Sequence, residues 1–244
     1  MRKHILKSAM LGKIHNSHSL VVNTLGKAIV NGTYGSGSLL PGDAELAERF
    51  EVSRTVLREA MKTLTAKGMI VAKTRIGTRV TDRKHWNFFD ADILSWHLER
   101  GVDDTFLDHL SEMRLSLEPF AAKLAAKRAT NEDLDQLYAC AEAMRAARTI
   151  DEFAVADLGF HMVLLGASKN PFMYSVGGLI EAALVISFRL SSPVRQPELQ
   201  EASAVLHRRI AEMVESGDPI AAAKAVEAVI HEGRERARTG DVGK

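Results

Sequence analysis

Three features of the sequence predict a mainly α fold in two parts. Apolar residues recur at helical spacing from residue 91 almost to the end. Ahead of them, two short helical patterns joined by a three-residue turn precede a β-like hairpin. Charge divides in the same way. Residues 1–80 carry 13 Lys and Arg against 5 Asp and Glu, and residues 81–244 carry 19 against 26, so a net charge of +1 conceals a basic first third. A basic segment fused to an acidic one points to two domains with different partners. The basic one suits a polyanion, because each neutralised phosphate releases condensed counterions.

Residues 1–16 show no clear period and read as a flexible basic arm. A helix is expected from Ser17, with Leu20, Val21, Leu25, Ile29 and Val30 on one side and Asn31-Gly32 as its stop. The stretch from Gly32 to Gly42, with four glycines, two serines and a proline, is a loop. Asp43 to Phe50 buries Leu46, Ala47 and Phe50. After the turn Glu51-Val52-Ser53, a second helix from Arg54 to Lys67 buries Leu57, Ala60, Met61 and Leu64, with Ser53 as N-cap and Gly68 closing it. Met69 to Lys73 and Thr78 to Asp82 form the hairpin. The first domain therefore spans 17–82. Residues 83–103 read as a linker and docking helix, in which Trp86, Phe88, Phe89 and Trp96 form an aromatic seam between the domains. Helices are expected at 91–100, 104–127, 131–148, 151–168, 172–191, 198–216 and 219–238, with the second domain at 104–239. Thr130 and Asp218 are N-caps, the latter with Pro219 at the first helical position, and Asn170-Pro171 is a break.

Two helices with a three-residue turn and a following hairpin make a winged helix-turn-helix. The second helix separates two stripes: Leu57, Ala60, Met61 and Leu64 face a core, while Thr55, Arg58 and Lys62, flanked by Arg54, remain polar. A recognition helix needs this division, with one face locked to its own domain and the other free to enter a major groove. Arginine can pair bidentately with guanine or clamp phosphate, and Thr55 can bond a phosphate oxygen. Lys73, Arg75 and Arg79 surround Gly77 on the wing, where the backbone can approach DNA closely.

In the second half, Asp157 and His161 are four residues apart and share a helix face, so both can reach one divalent cation, with His207 on a later helix to complete the cluster. Arg114 lies in an apolar-rich helix, where its fork can pair with a carboxylate ligand or with Glu118 or Glu112. Glu181 and Arg189 join this effector-binding set by their place in an apolar helix. His97 and His109 read as surface or interface residues, and Cys140 as a buried small apolar one.

The run LLPGDAELAERFEVSRTVLREAMKTLTAKGMI, followed by IGTRV, resembles the winged helix of the GntR family of bacterial regulators. The resemblance implies that Arg54, Thr55, Arg58 and Gly77 approach DNA. One departure is Ala44, where many members carry an Arg that reads guanine, so the usual operator consensus does not carry over. EMRLSLEPFAAKLAA, FHMVLLGASKNP and LHRRIAEMVESGD resemble the all-helical FCD domain of that family's fatty-acid-regulator branch, and NFFDADILSWHLE resembles a sugar-acid-operon repressor within it. The metal-binding members use an Asp and a His four apart, a His at the place of His207, and one more His near the end of the last helix. That last place is Val229 here, and His231 points about 200° away on a helix. The resemblance thus implies either a metal such as Zn, Ni or Mn on Asp157, His161 and His207, with effector and water completing the shell, or a polar cluster that takes the effector without metal.

Composition narrows the remaining classes. A hydrophobic content of 46% with 26% charged residues is ordinary for a soluble globular chain. The single cysteine permits no intrachain disulfide, no secretory signal is visible, and no run of about 18 apolar residues occurs. The expectation is a cytoplasmic, homodimeric, DNA-binding repressor, not an enzyme, released by a small carboxylate such as a sugar acid. The alternative is a metal-dependent hydrolase built on Asp157, His161 and His207.

Overall fold

The computed structural model describes residues 17–101, 104–178, 180–181, 184 and 193–239. The chain divides into two compact units after Gly101.

The first unit is built from α1 (Ser17–Val30), α2 (Asp43–Arg49), α3 (Arg54–Ala66), β1 (Ile70–Lys73), β2 (Gly77–Val80), a 3₁₀ turn (Arg83–His85) and α4 (Ala91–Arg100). Val21, Leu25 and Ile29 of α1, Leu46 of α2 and Leu57, Ala60 and Leu64 of α3 meet in one core. β1 and β2 pair antiparallel in the register Ile70↔Val80 to Lys73↔Gly77. Residues 37–40, read from sequence as loop, add a third ply to this wing: Gly37 N–H donates to the Val80 carbonyl (2.9 Å), Val80 N–H to Ser38 (3.0 Å) and Leu40 N–H to Thr78 (2.9 Å).

The segment expected to link and dock the two domains is part of the first unit. Trp86 and Trp96 lie in its core, with Phe88 partly buried against them, and only Phe89 is exposed. Trp96 packs against Gly26 of α1, where a Cβ would fall 2.3 Å from the indole ring, and its Nε1 donates to Asn23 Oδ1 (3.2 Å). Arg100 donates to the Val30 carbonyl (3.1 Å), and Lys27 pairs with Glu99 (2.5 Å). At the other end Asp90 caps α4, accepting from the N–H groups of Asp92 and Ile93, and also receives Lys67 Nζ at 2.6 Å. The seam is therefore internal to one unit, because the helical glycine removes the side chain that would hold α4 away from α1. His97 is likewise buried and not on the surface: its Nδ1 donates to the Ile93 carbonyl (2.8 Å), and Arg83 Nη2 lies 3.1 Å from Nε2.

The second unit is helical: α5 (Asp104–Arg128), α6 (Asn131–Ala146), α7 (Ile150–Ala167), α8 (Pro171–Ser175), a 3₁₀ turn (Pro193–Arg195), α9 (Pro197–Glu215) and α10 (Pro219–Thr239). The expected helix at 172–191 begins as the short α8. A turn at Val176 separates it from helical residues 177–178, 180–181 and 184, and the intervening and following positions to 192 lie outside the described residues. α5 packs on α7, α9 and α10, and α6 on α7 and α9. Small buried residues suit the close approach of α5 and α10: Ala121, Ala122 and Ala125 on one, Ala222 and Ala223 on the other. Thr130 caps α6 in a reciprocal box with Asp133, Thr149 caps α7, and Asp218 Oδ1 accepts from Ile220 and Ala221 at the start of α10. Gln200 of α9 closes the far end of α6, its amide donating to the carbonyls of Met144 (2.8 Å) and Ala147 (2.8 Å). None of the described helices is long and apolar enough to cross a membrane.

Candidate functional site

Ser53, in extended backbone, accepts from Val56 N–H (3.2 Å) and starts α3. Leu57, Ala60 and Leu64 anchor that helix, which leaves Arg54, Thr55, Arg58 and Lys62 exposed. Residues 54, 58 and 62 are four apart and form one row. Lys62 Nζ is held by Glu59 Oε1 at 2.8 Å. At the tip of the wing, Arg75 adopts a left-handed φ of 63° and Gly77 a φ of 111°, and both are exposed. Arg79 does not join them. It is half-buried, and its Nη1 donates to the Gly37 carbonyl (2.6 Å), so it braces the third ply of the wing.

The second unit gathers five buried charged or titratable side chains from three helices. α5 supplies Arg114 and Glu118, α7 supplies Asp157 and His161, and α9 supplies His207. Each pair on one helix is four apart, so its members share a face. Glu118 is fully buried and the other four are at most 7% exposed. Arg114 Nε lies 2.5 Å from Glu118 Oε1, and His161 Nδ1 lies 2.5 Å from Glu118 Oε2, close but poorly aligned for a linear hydrogen bond. Arg114 Nη2 is 3.3 Å from His161 Nε2. His207 Nδ1 donates to the Ser203 carbonyl (2.7 Å), which turns its Nε2 toward Asp157 Oδ1 (3.2 Å) and His161 Nε2 (3.4 Å). The Phe160 ring lies nearly perpendicular to both imidazoles, with centroids 5.9 Å from His161 and 5.0 Å from His207.

Burial alone pushes the Glu118 carboxyl up, but Arg114 and His161 outweigh it and hold the group at about 2. Burial acts the same way on Asp157, where His207, His161 and Arg114 bring the carboxyl below its ordinary range. Arg114, penalised by burial, is held above its usual value by Glu118. The cluster thus keeps its carboxylates ionised away from water.

Among the described residues, Asp157, His161 and His207 form a group whose donor atoms all lie within 4.8 Å of one another. Asp157 Oδ2 is buried without a hydrogen-bond partner. Two imidazole Nε2 atoms and an orphaned carboxylate oxygen suit a borderline divalent cation. Val229 is buried and offers no donor, and His231 is exposed. Arg189 lies outside the described residues. Glu181 is half-buried, with its carboxyl pushed up by burial. Cys140 is half-buried on α6, its Sγ 3.4 Å from where a Cβ on Gly159 would lie. The sequence offers Glu118 only as one possible ion-pair partner of Arg114, yet it touches both Arg114 and His161. Its position four residues after Arg114 was the available signal.

An exposed basic helix beside a wing, joined to a helical unit with a buried polar cluster, defines a DNA-binding transcriptional regulator with a small-molecule-sensing domain. Residues 19–80 match the gntR family of bacterial regulatory proteins and residues 109–232 match the FCD domain. The chain belongs to the gntR family, in the group that carries an FCD domain. It is 34% identical over 228 residues to the uncharacterized HTH-type transcriptional regulator YieP of Escherichia coli (strain K12), covering 92% of this chain and 97% of that one. It is 40% identical over 159 residues to the galactonate operon transcriptional repressor of the same organism, covering 65% of this chain and 69% of that one. The fold is similar to that of Lar, which controls expression of the Listeria monocytogenes agr system, with a TM-score of 0.66 at 23% identity over 93% of this chain and 99% of that one. The hydrolase alternative finds no support here, since these relatives are regulators.

Proposed function

We propose that the chain is a cytoplasmic repressor that holds its operator as a homodimer and releases it when a small carboxylate, such as a sugar acid, engages the buried cluster. The observation that carries this reading is the convergence of Arg114, Glu118, Asp157, His161 and His207 inside the FCD unit. So many buried charges cost stability in a purely structural bundle, and their retention favours a ligand role. The similarity to a galactonate operon repressor supports a sugar acid as the effector class.

On the DNA side, two copies of α3 would enter successive major grooves of a near-palindromic site. Arg54, Arg58 and Lys62 would supply base and phosphate contacts, Thr55 a phosphate contact, and Arg75 and Gly77 the wing contact. On the effector side, Asp157, His161 and His207 would hold a divalent ion of the Zn, Ni or Mn type. That ion would supply a fixed positive charge for an anionic ligand. Arg114 would orient the ligand beside it. Release follows if the ligand prefers a domain arrangement other than the DNA-competent one, because a ligand moves an equilibrium only by its differential affinity.

The test is a gel shift on the chain's own upstream DNA at low salt, repeated with a panel of sugar acids with and without divalent metal. The expected result is a retarded band that one acid abolishes. No retardation under any condition would remove the DNA assignment. Retardation indifferent to every acid would remove the effector assignment.

A further inference from the structure

The two histidines of the candidate ion site are oriented by different means. His207 donates through Nδ1 to the main-chain carbonyl of Ser203 at 2.7 Å, an arrangement that no side-chain substitution elsewhere can remove. His161 faces a side chain instead: its Nδ1 lies 2.5 Å from Glu118 Oε2. A ring nitrogen that close to a carboxylate oxygen must carry a hydrogen, which leaves the lone pair on Nε2. That Nε2 is the atom 3.4 Å from His207 Nε2 and 3.6 Å from Asp157 Oδ2. The other oxygen of Glu118 lies 2.5 Å from Arg114 Nε, and Arg114 Nη2 is 3.3 Å from the same His161 Nε2. A guanidinium so close to a cation site would repel the ion unless its charge were answered.

We infer that Glu118 is the positioning residue of this site: it fixes His161 in the form that offers Nε2 to an ion, and it neutralises Arg114 so that an ion can enter beside it. Outer carboxylates that orient ligating imidazoles characteristically raise metal affinity in this way. This inference rests on the ion-binding part of the proposed function.

Glu118→Gln separates positioning from shape. The Glu118 carboxylate has two acceptor ends: Oε1 takes Arg114 Nε, and Oε2 faces His161 Nδ1, with Arg114 Nη2 farther off at 3.4 Å. An amide has one acceptor end, and its NH₂ must face the other partner. Arginine cannot become an acceptor, but His161 can, by moving its hydrogen to Nε2, where His207 Nε2 at 3.4 Å accepts it and Arg114 Nη2 must turn aside. The substitution therefore converts the ligating nitrogen of His161 into a donor, while His207 keeps its bond to Ser203.

The experiment uses the full chain, stripped with chelator. Cobalt(II) is titrated while the visible d–d band is read, and zinc affinity is measured by competition with a chromophoric chelator. Long-range ¹H–¹⁵N spectra of the metal-free protein report which nitrogen of each histidine carries hydrogen. The wild-type chain is expected to bind one cobalt, with the hydrogen on Nδ1 of both histidines. In Glu118→Gln, metal affinity should fall about 10–100-fold, with the His161 hydrogen moved to Nε2 and the His207 signal unchanged. A wild-type chain that binds neither metal overturns the ion-binding reading and this inference with it. Equal affinity in wild type and Glu118→Gln overturns the inference alone. Should the variant fail to fold, the wild-type spectrum decides: hydrogen on Nε2 of metal-free His161 overturns the assignment, and hydrogen on Nδ1 supports it.

Discussion

The exposed row on α3 and the buried cluster between α5, α7 and α9 contain similar residue types and use them in opposite ways. Arg54, Arg58 and Lys62 stand in water, where charge is screened and each side chain costs the fold almost nothing. Their energy is held back for a partner. Arg114, Glu118, Asp157, His161 and His207 are out of water, so the fold depends on their being paired with one another. The same substitution should therefore be read out as lost binding in one region and lost stability in the other.

The largest expected effect tests that division directly. Glu118→Ala leaves Arg114 buried without its counter-charge and should destabilise the second unit by about 3–5 kcal/mol. Both tryptophans, Trp86 and Trp96, lie in the first unit, so tryptophan fluorescence follows that unit alone, while helical circular dichroism is weighted toward the longer helices of the second. The dichroism transition in urea should move to lower concentration while the fluorescence transition stays. A coincident shift of both would break the comparison by showing that the units share one cooperative transition. Acid should do gradually what the substitution does at once. Because Glu118 is held at about 2 in the fold, against an ordinary 4.5, its stabilising contribution is complete above 4.5 and is lost as pH falls toward 2. In Glu118→Gln the slope of stability against pH over that window should be shallower than in the wild type.

Next in size is Gly26→Ala. The added methyl would lie 2.3 Å from the Trp96 ring, so α4 must move off α1. Overpacking of this kind costs roughly 1–3 kcal/mol, and with a rigid indole as the obstacle the upper half of that range is expected. Here the fluorescence transition should move, together with the smaller, first-unit part of the dichroism, while the larger part that the second unit contributes should not. An unchanged fluorescence midpoint would show that α4 is a loosely held linker after all.

Gly26 also marks where the sequence was legible and where it was not. Helical periods, the Ser53 and Thr130 caps and the hairpin were visible because each is a local relation among residues three or four apart, or among neighbours. The division of α3 into an apolar and a polar stripe was visible for the same reason. The docking of α4 was not, because it depends on residues some seventy positions away: Trp96 on Asn23 and Gly26, and Arg100 on Val30. A glycine in mid-helix, costing about 0.5–1 kcal/mol relative to alanine, was the only local hint that something must approach closely there. The buried cluster was half legible. Asp157 with His161 is an i, i+4 pair, and His207 could be nominated. That Glu118 belongs with them requires knowing that α5 and α7 face each other, which no short-range pattern states. The third ply of the wing escaped for a different reason: glycine and serine at 35–38 carry no strand preference, and the pairing is made by main-chain groups alone.

On the DNA side the expected stability changes are small and the binding changes specific. Arg58→Ala should weaken operator binding by about 1–3 kcal/mol if the guanidinium reads a base, and should relax preference at one operator position. Neither unfolding transition should move, since the side chain is exposed. Equal loss on operator and random DNA would reassign Arg58 to phosphate.

Lys62→Ala is expected to have the smallest effect and sharpens the contrast furthest. Its ammonium is already engaged by Glu59 at 2.8 Å on an exposed helix face, where water and salt screen the pair and it adds little to the fold. To reach a phosphate it must leave Glu59, and that carboxylate then stands close to the DNA backbone as an unanswered charge. The net gain from a Lys62 contact is therefore less than a free lysine would provide. The expected outcome is a uniform weakening on operator and random DNA, with the slope of log affinity against log salt shallower by less than about 1. Glu59→Gln should act in the opposite sense, strengthening both kinds of binding by releasing Lys62. If removing the lysine changes affinity for the operator alone, Lys62 contacts a base, and the exposed row is used for recognition along its whole length.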